Sequence, residues 1–251
     1  MSERNKSVLN FVAGILLLLA LASFFYFAFA RLKYQWEWDR FWDYREQIAK
    51  GWGFTLLISV ASLVISVLLG LFLMAGQRSG IWMLRAFCRG YVELIRGTPL
   101  LVQIFIAYYI VADAVQLESK TAVGILALSS FSAAYLAEIF RGGVDSIART
   151  QVEAARAVGF DNRQVYQYVI IPQALRRVLP GVAGQLVNLV KDSSLLSVIG
   201  IEEYTKATYD FFSATYKSWE GFVSMACGYL IFTIPIMFFT RWLEERFRYE
   251  N

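Results

Sequence analysis

Histidine is absent from all 251 residues. That removes the commonest metal ligand and the commonest general base, so a zinc enzyme and a Ser-His hydrolase are both set aside. Cysteine is scarce: Cys88 and Cys227 are the whole supply, and both lie in or near apolar runs. A disulfide framework needs more thiols, placed in exposed loops. No G-x-x-x-x-G-K-[ST] loop occurs; Gly142-Gly143 and Gly51-x-Gly53 are too short to cradle a nucleotide's phosphates. No basic run of the nucleic-acid type is present either, although the net charge is +4.

What the chain has is apolar sequence. Hydrophobic residues make up 57% of it, against roughly 45–50% in a soluble domain. They gather in uncharged runs: Phe11–Ala30, Phe54–Met74, Gly97–Ala112, Thr121–Ala137 and Gly221–Thr240. A sixth, Val178–Ile201, is broken only by Lys191-Asp192. About 20 apolar residues cross a bilayer core as a helix, so six membrane segments are expected. The first follows Arg4 and Lys6 and ends in Ala28-Phe29-Ala30, like a secretory signal. Its apolar stretch exceeds the roughly 7–15 residues of a signal core, and it is read as a retained anchor helix.

Cytoplasmic loops carry the excess of Lys and Arg. Threading six segments with the N-terminus inside puts most of the 24 cations on the inner side, among them Arg78, Arg85, Arg89, Arg141, Arg149, Arg156 and Arg163. Both termini are therefore expected in the cytoplasm. Trp36, Trp38, Trp42 and Trp52 cluster ahead of the second segment and read as an interfacial aromatic belt.

The inner stretch 141–180 has its own pattern. Val152, Ala155, Val158 and Gly159 share one side of a short amphipathic helix. Gly159 is placed to end it, and Asp161 or Asn162 to cap a second helix through Val165, Tyr168 and Val169. Pro172 and Pro180 punctuate the chain beyond that second helix. Small residues at 149–159 suit docking to a protein partner better than anchoring in lipid.

Ionisable groups inside a span are costly and are functional candidates by default. Glu138, Arg141 and Asp145 share a helix face if that helix continues. The acids suit a substrate ammonium and Arg141 suits a carboxylate; the alternative is a structural Glu138–Arg141 ion pair. Glu93 and Arg96 repeat the three-residue spacing ahead of Thr98-Pro99. They read as a salt bridge fixing a bend at Pro99, beyond which Gln103 is a candidate for the path. Asn188, Lys191 and Asp192 form a further polar cluster: Asn188 joins the candidate path residues, whereas Lys191 and Asp192 suit gating or structural work. Ser129, Ser130 and Ser132 suit close helix packing.

Several of these stretches carry a family resemblance. Glu153-Ala154-Ala155, Gly159 and Ile170-Ile171-Pro172 resemble the EAA loop of binding-protein-dependent ABC importer permeases. Tyr91-Val92-Glu93-Leu94-Ile95-Arg96-Gly97-Thr98-Pro99-Leu100-Leu101-Val102-Gln103 is similar to the matching stretch of the polar amino acid permease subfamily. So are Ala133-Ala134-Tyr135 through Glu138, Arg141-Gly142-Gly143, Pro172-Gln173-Ala174-Leu175-Arg176 and Lys191-Asp192-Ser193-Ser194-Leu195. One departure is Thr150 before Gln151, where many relatives have Gly-Gln.

The resemblance implies an all-α integral membrane protein of the type I ABC importer transmembrane fold, a five-helix core plus one extra N-terminal helix. It divides the chain into an anchor helix and periplasmic segment (1–47), a permease domain (48–243) with its EAA coupling loop at about 142–180, and a cytoplasmic tail (244–251). It also implies a transmembrane subunit of an ATP-driven amino acid importer in the bacterial inner membrane. Glu153, Ala154, Ala155 and Gly159 would engage an ATPase. The implied partners are two ATPase copies holding ATP and Mg, a second permease subunit, identical or homologous, and a separate periplasmic binding protein. No cofactor or catalytic site is expected in this chain. The alternatives are a permease for another small solute, or a scaffold that recruits an ATPase without transporting.

Overall fold

The computed structural model describes residues 3–31 and 34–247, and its regular elements there are all helices. The cations Lys33 and Arg248 and the end of the expected tail, 248–251, lie outside the described residues. The chain divides into two units, residues 1–39 and 40–251. In the first, α1 (Glu3–Arg31) is apolar enough from Val12 to Arg31 to cross a bilayer, and the rings of Trp36 and Trp38 stack 5.7 Å apart.

A short helix, α2 (Trp38–Asp43), leads to α3 (Arg45–Gln77). The expected 47/48 boundary therefore falls inside a continuous helix. One side of α3 is built from small residues: Thr55, Ser59, Ser62, Ser66 and Gly70 recur at helical spacing and are all buried. Without a hydrophobic force between helices in lipid, small residues let backbones approach. The face meets α6 (Lys120–Asp145) in parallel. Ser62 Oγ donates to Ile125 O at 3.4 Å, Ser129 Oγ reaches Ser62 O at 3.3 Å, and a Cβ on Gly70 would lie 2.9 Å from that of Leu136. The serines of both helices pack this seam, as expected for Ser129 and Ser132.

Between them the chain returns through α4 (Trp82–Arg96) and α5 (Leu100–Ile106), which continues as a π-helical turn, Ala107–Ala112. The two limbs meet at 111° and qualify as a membrane crossing only together. The expected segment 97–112 is thus the upper limb of a broken span. After α6 come α7 (Arg149–Ala157) and α8 (Asn162–Gln164), which runs through a π-helical stretch, Val165–Ile170, into α9 (Ile171–Asp192). The second loop helix therefore merges with the following span, and Pro180 sits inside α9 instead of ending it.

The expected sixth segment, 178–201, changes character midway. α9 is long enough to cross but too polar to qualify by composition, and Ser193–Ile199 tighten into a 3-10 helix ending at Gly200 in the left-handed region, φ +75°. Helix α10 (Tyr204–Thr215) and the long α11 (Ser218–Phe247) complete the chain. α11 passes through the expected 243/244 boundary. By length and composition the second unit thus offers four candidate crossings, α3, the bent α4–α5 pair, α6 and α11, which with α1 makes five against the six expected. Ile58, Ile104, Leu128, Leu189 and Leu196 form the main apolar core among them. Trp52 departs from the expected belt: its indole packs on Phe232 with ring centroids 4.0 Å apart and donates to Gly228 O at 3.4 Å.

The end of the bundle away from the loop 141–180 holds a buried carboxyl. Glu203 caps α10, accepting from Lys206 N–H at 2.8 Å, and is 0% exposed. Tyr229 OH donates to its other oxygen at 3.0 Å and Thr55 Oγ1 lies 3.4 Å away. Thr55 Oγ1 also accepts from Tyr204 N–H, and Thr205 shares a 2.6 Å bond with Tyr229. Burial pushes the Glu203 carboxyl up to about 7, against the pull of these donors.

Two consequences are measurable. A carboxyl raised in the fold contributes stability that is fully present below its ordinary value of 4.5 and is lost as pH rises through about 7. The detergent-solubilised protein should lose thermal stability between pH 5 and 8, by on the order of 3 kcal/mol at 1.36 kcal/mol per pH unit, and Glu203→Gln should flatten that profile. An unchanged profile in the variant removes Glu203 as its source. Separately, a Cβ on Gly76 would lie 2.3 Å from Cys88 Sγ. Gly76→Ala should therefore destabilise by about 1–3 kcal/mol through overpacking, and adding Cys88→Ala should recover most of it in the same melting assay.

Candidate functional site

Loop 141–180 is rigid for local reasons. α7 closes with a Schellman arrangement: Gly159 N–H donates to Arg156 O at 3.0 Å and Phe160 N–H to Ala155 O at 3.1 Å, with Gly159 at φ +91°. Asp161 then opens α8 with a reciprocal capping box, Gln164 N–H to Asp161 Oδ1 at 2.8 Å and Asp161 N–H to Gln164 Oε1 at 2.9 Å. Ile147, Ala155, Val165 and Ile170 make a small core beneath, with Val152 packed on it. Gln173 holds Gln151 at 2.7 Å, and Arg177 donates to Ser146 Oγ at 2.7 Å, tying the loop to α9.

This packing divides the four coupling candidates. Glu153, Ala154 and Gly159 are exposed, whereas Ala155 faces the loop's own core. Val158, expected on the packed side, is instead 74% exposed beside Gly159.

Behind the loop lies a charged cleft of about 740 Å³ between α3, α4 and α6. Glu138 is its hub. Arg141 donates to both carboxylate oxygens, at 2.7 and 3.1 Å, and Arg96 Nη1 stands 3.3 Å away. Arg141 also reaches Asp145 at 3.5 Å, and Arg78 pairs with Asp145 from the end of α3. The three candidates of α6 do share one face, and they form a chain of ion pairs. Arg96 corrects one expectation. It turns away from Glu93 to Glu138, lying over the Tyr135 ring at 5.5 Å, and Glu93 stays exposed. Arg78 was legible only as an inner cation; its place in the network depends on α3 and α6 running parallel.

Gln103 also changes place. Pro99 cannot donate a backbone hydrogen bond, so the end of α4 has free carbonyls. Gln103 Nε2 donates to Ile95 O at 2.8 Å, Thr98 O at 3.2 Å and Thr98 Oγ1 at 2.7 Å. Thr98 Oγ1 donates to Leu94 O at 3.0 Å. The Gln103 amide nitrogen is thus engaged by the bend itself. On α9, Asn188 and Lys191 are exposed and line a second cavity, with Gln185, Gly184 and Gly181, between α6 and α11. Asn188 donates to Gln185 at 3.3 Å. Among the described residues neither Lys191 nor Asp192 forms an ion pair. Among the described residues no His, Cys, Asp and Glu cluster is suited to a metal ion.

Comparison with known proteins places this architecture. Residues 66–249 match the family of binding-protein-dependent transport system inner membrane components. The chain is 33% identical to the glutamine transport system permease protein GlnP of Escherichia coli (strain K12), over 82% of this chain and 95% of that one. It is 34% identical to the probable glutamine ABC transporter permease protein GlnM of Bacillus subtilis (strain 168), over 78% and 91%. Among solved structures, an amino acid ABC transporter crystallised with histidines superposes with a TM-score of 0.80 at 31% identity, covering 85% of this chain and all of that one. Matched by that family over residues 66–249 and a third identical to these relatives over most of its length, the chain belongs to the binding-protein-dependent transport system inner membrane components.

Proposed function

We propose that this chain is the transmembrane subunit of an ATP-driven amino acid importer, and that its α7 helix carries the power stroke of a separate ATPase. The observation that carries this reading is the construction of α7. It is closed at its C-terminal end by the Gly159 turn, tied to α9 through Gln151 and packed beneath on its own core, while Glu153, Ala154, Val158 and Gly159 stand outward. A rigid helix with small exposed residues transmits force to the spans it is bonded to; a flexible one absorbs it. Glutamine in the names of two relatives supports an amino acid as the substrate.

In this reading two copies of the ATPase bind ATP and Mg and dock under two permease subunits. A periplasmic binding protein delivers the substrate at the opposite end. The chain holds no cofactor of its own. Both termini face the cytoplasm. Support for the C-terminal side comes from the gathering of Arg78, Arg141, Arg156 and Arg177 at the end that carries the loop. The Glu138–Arg141–Asp145 chain suits a zwitterion. A substrate carboxylate can exchange with Glu138 at Arg96 and Arg141, and its ammonium can take their place at Glu138 or Asp145. Asn188 lines the path from α9. Gln103 belongs with Glu93, Arg96 and Pro99 at the bend, and Lys191 and Asp192 act in gating.

The test is reconstitution in liposomes with the ATPase and the binding protein, measuring ATP-dependent uptake of a labelled amino acid panel. Glu153→Arg should abolish both uptake and ATPase association. Glu138→Gln should leave association intact and raise the substrate concentration for half-maximal uptake roughly tenfold, the scale of one lost charge-assisted hydrogen bond. Uptake that survives Glu153→Arg overturns the coupling assignment. If the ATPase binds and no amino acid is carried, another solute is the substrate.

A further inference from the structure

The charged cleft carries more cations than its ion pairs consume. Arg78, Arg96 and Arg141 each have a carboxylate partner. Arg85 and Arg89, one turn apart on α4, line the same cleft. Arg85 reaches only a backbone carbonyl, Ser79 O, at 2.6 and 2.8 Å. Arg89 is exposed and has no hydrogen bond or ion pair among the described residues. The remaining carboxylate, Glu93, is likewise exposed and unpaired. Gln77 adds a donor. It is 5% exposed, faces Glu138 from α3, and its Nε2 completes no hydrogen bond.

The other side of α4 is apolar and bare. Met83, Phe87 and Leu94 are 73%, 65% and 66% exposed. α4 therefore sets two guanidinium groups without a carboxylate partner on one face and a greasy surface on the other, where the chain leaves α3 at the basic end of the bundle. A small soluble anion would satisfy only the first face. A molecule with an anionic head and hydrocarbon tails satisfies both, and basic clefts between spans at the cytoplasmic side suit anionic headgroups.

We infer that the α4 cleft binds the headgroup of an anionic phospholipid from the inner leaflet, with Arg85 and Arg89 on the phosphate and the acyl chains over Met83 and Phe87. The leaflet named here rests on the orientation proposed above. The cleft shares Arg78, Asp145 and Tyr166 with the groove beneath α7, so a lipid held there braces the loop the ATPase would push.

The test uses the full-length protein in nanodiscs of phosphatidylcholine with and without phosphatidylglycerol, with bound lipid read by native mass spectrometry. Both leaflets of a nanodisc carry the lipid, so the result does not depend on which way the chain faces. Wild type should retain phosphatidylglycerol preferentially. Arg85→Gln/Arg89→Gln should weaken that retention on the order of 30-fold, the scale of two surface cations. Arg149→Gln/Arg163→Gln, which removes two cations elsewhere on the same end, should leave it unchanged. Met83→Ala/Phe87→Ala, at exposed positions, should weaken retention of the lipid. Equal losses in both arginine pairs would reduce the effect to general attraction and overturn the site. Competition by inorganic phosphate or glycerol phosphate at concentrations comparable to the lipid's would overturn the lipid assignment. So would an Arg85→Gln/Arg89→Gln protein that keeps its lipid but changes its amino acid selectivity, which would make the cleft a substrate vestibule.

Discussion

A helix broken inside a bilayer must find partners for the backbone groups the break releases, since lipid supplies none. This chain meets that demand at Gly97-Thr98-Pro99. Proline removes a donor, the chain turns through 111°, and the carbonyls of Ile95 and Thr98 take their hydrogen bonds from a side chain four residues beyond the proline. Much of the inner half depends on that solution. With the bend satisfied, α4 packs against α6, Tyr91 reaches Ser130, and Arg96 is delivered to Glu138. A straight third span would carry Arg96 away from α6, leaving Arg141 as Glu138's only cation.

The ion-pair chain follows from a second constraint, the seam of small residues between α3 and α6. Serine hydroxyls that bond back along their own helix, Ser59 to Thr55 O and Ser129 to Ile125 O, need no partner across the seam. The backbones can then come close along its length. Parallel approach brings the ends of α3 and α6 together, and this pairs Arg78 with Asp145. No local pattern around residue 78 carries that information. It arises from the relative direction of two helices separated by a whole broken span.

The residues legible in the sequence were those whose neighbours are close in the chain. Gly159 as a helix stop, Asp161 as a cap and the shared face of Glu138, Arg141 and Asp145 are matters of spacing. So are the apolar runs, which marked α1, α3, α6 and α11 well. Misreadings came where a distant element competed. Glu93 is three residues from Arg96, but Glu138 offers a carboxylate already held by Arg141, and it wins. Gln103 looked like a path residue because nothing local shows that the broken helix needs its amide. Glu203 carries no signal of burial in the sequence. Its burial depends on α3 and α11 closing over the start of α10, and the one local hint was an acid three residues ahead of Lys206, the spacing of a helix cap.

The two constraints meet at the loop. α6 delivers Asp145 to the edge of the charged cleft and, within a few residues, becomes the capped helix that carries Glu153. α9 begins on the other side of that loop and is bonded back to it through Gln173 and Arg177. A displacement of α7 cannot be absorbed locally, because its C-terminal closure, its small core and its ties to α9 are all satisfied at once. It must pass into α6 and α9, the two spans that also present Glu138, Arg141, Asn188 and Lys191. An ion-pair chain is suited to receive such a movement. Its side chains are a quarter to nearly half exposed, so each pair is worth little by itself and can be exchanged. The stiff part of this molecule is therefore the loop and the seam, and the yielding part is the charge network between them.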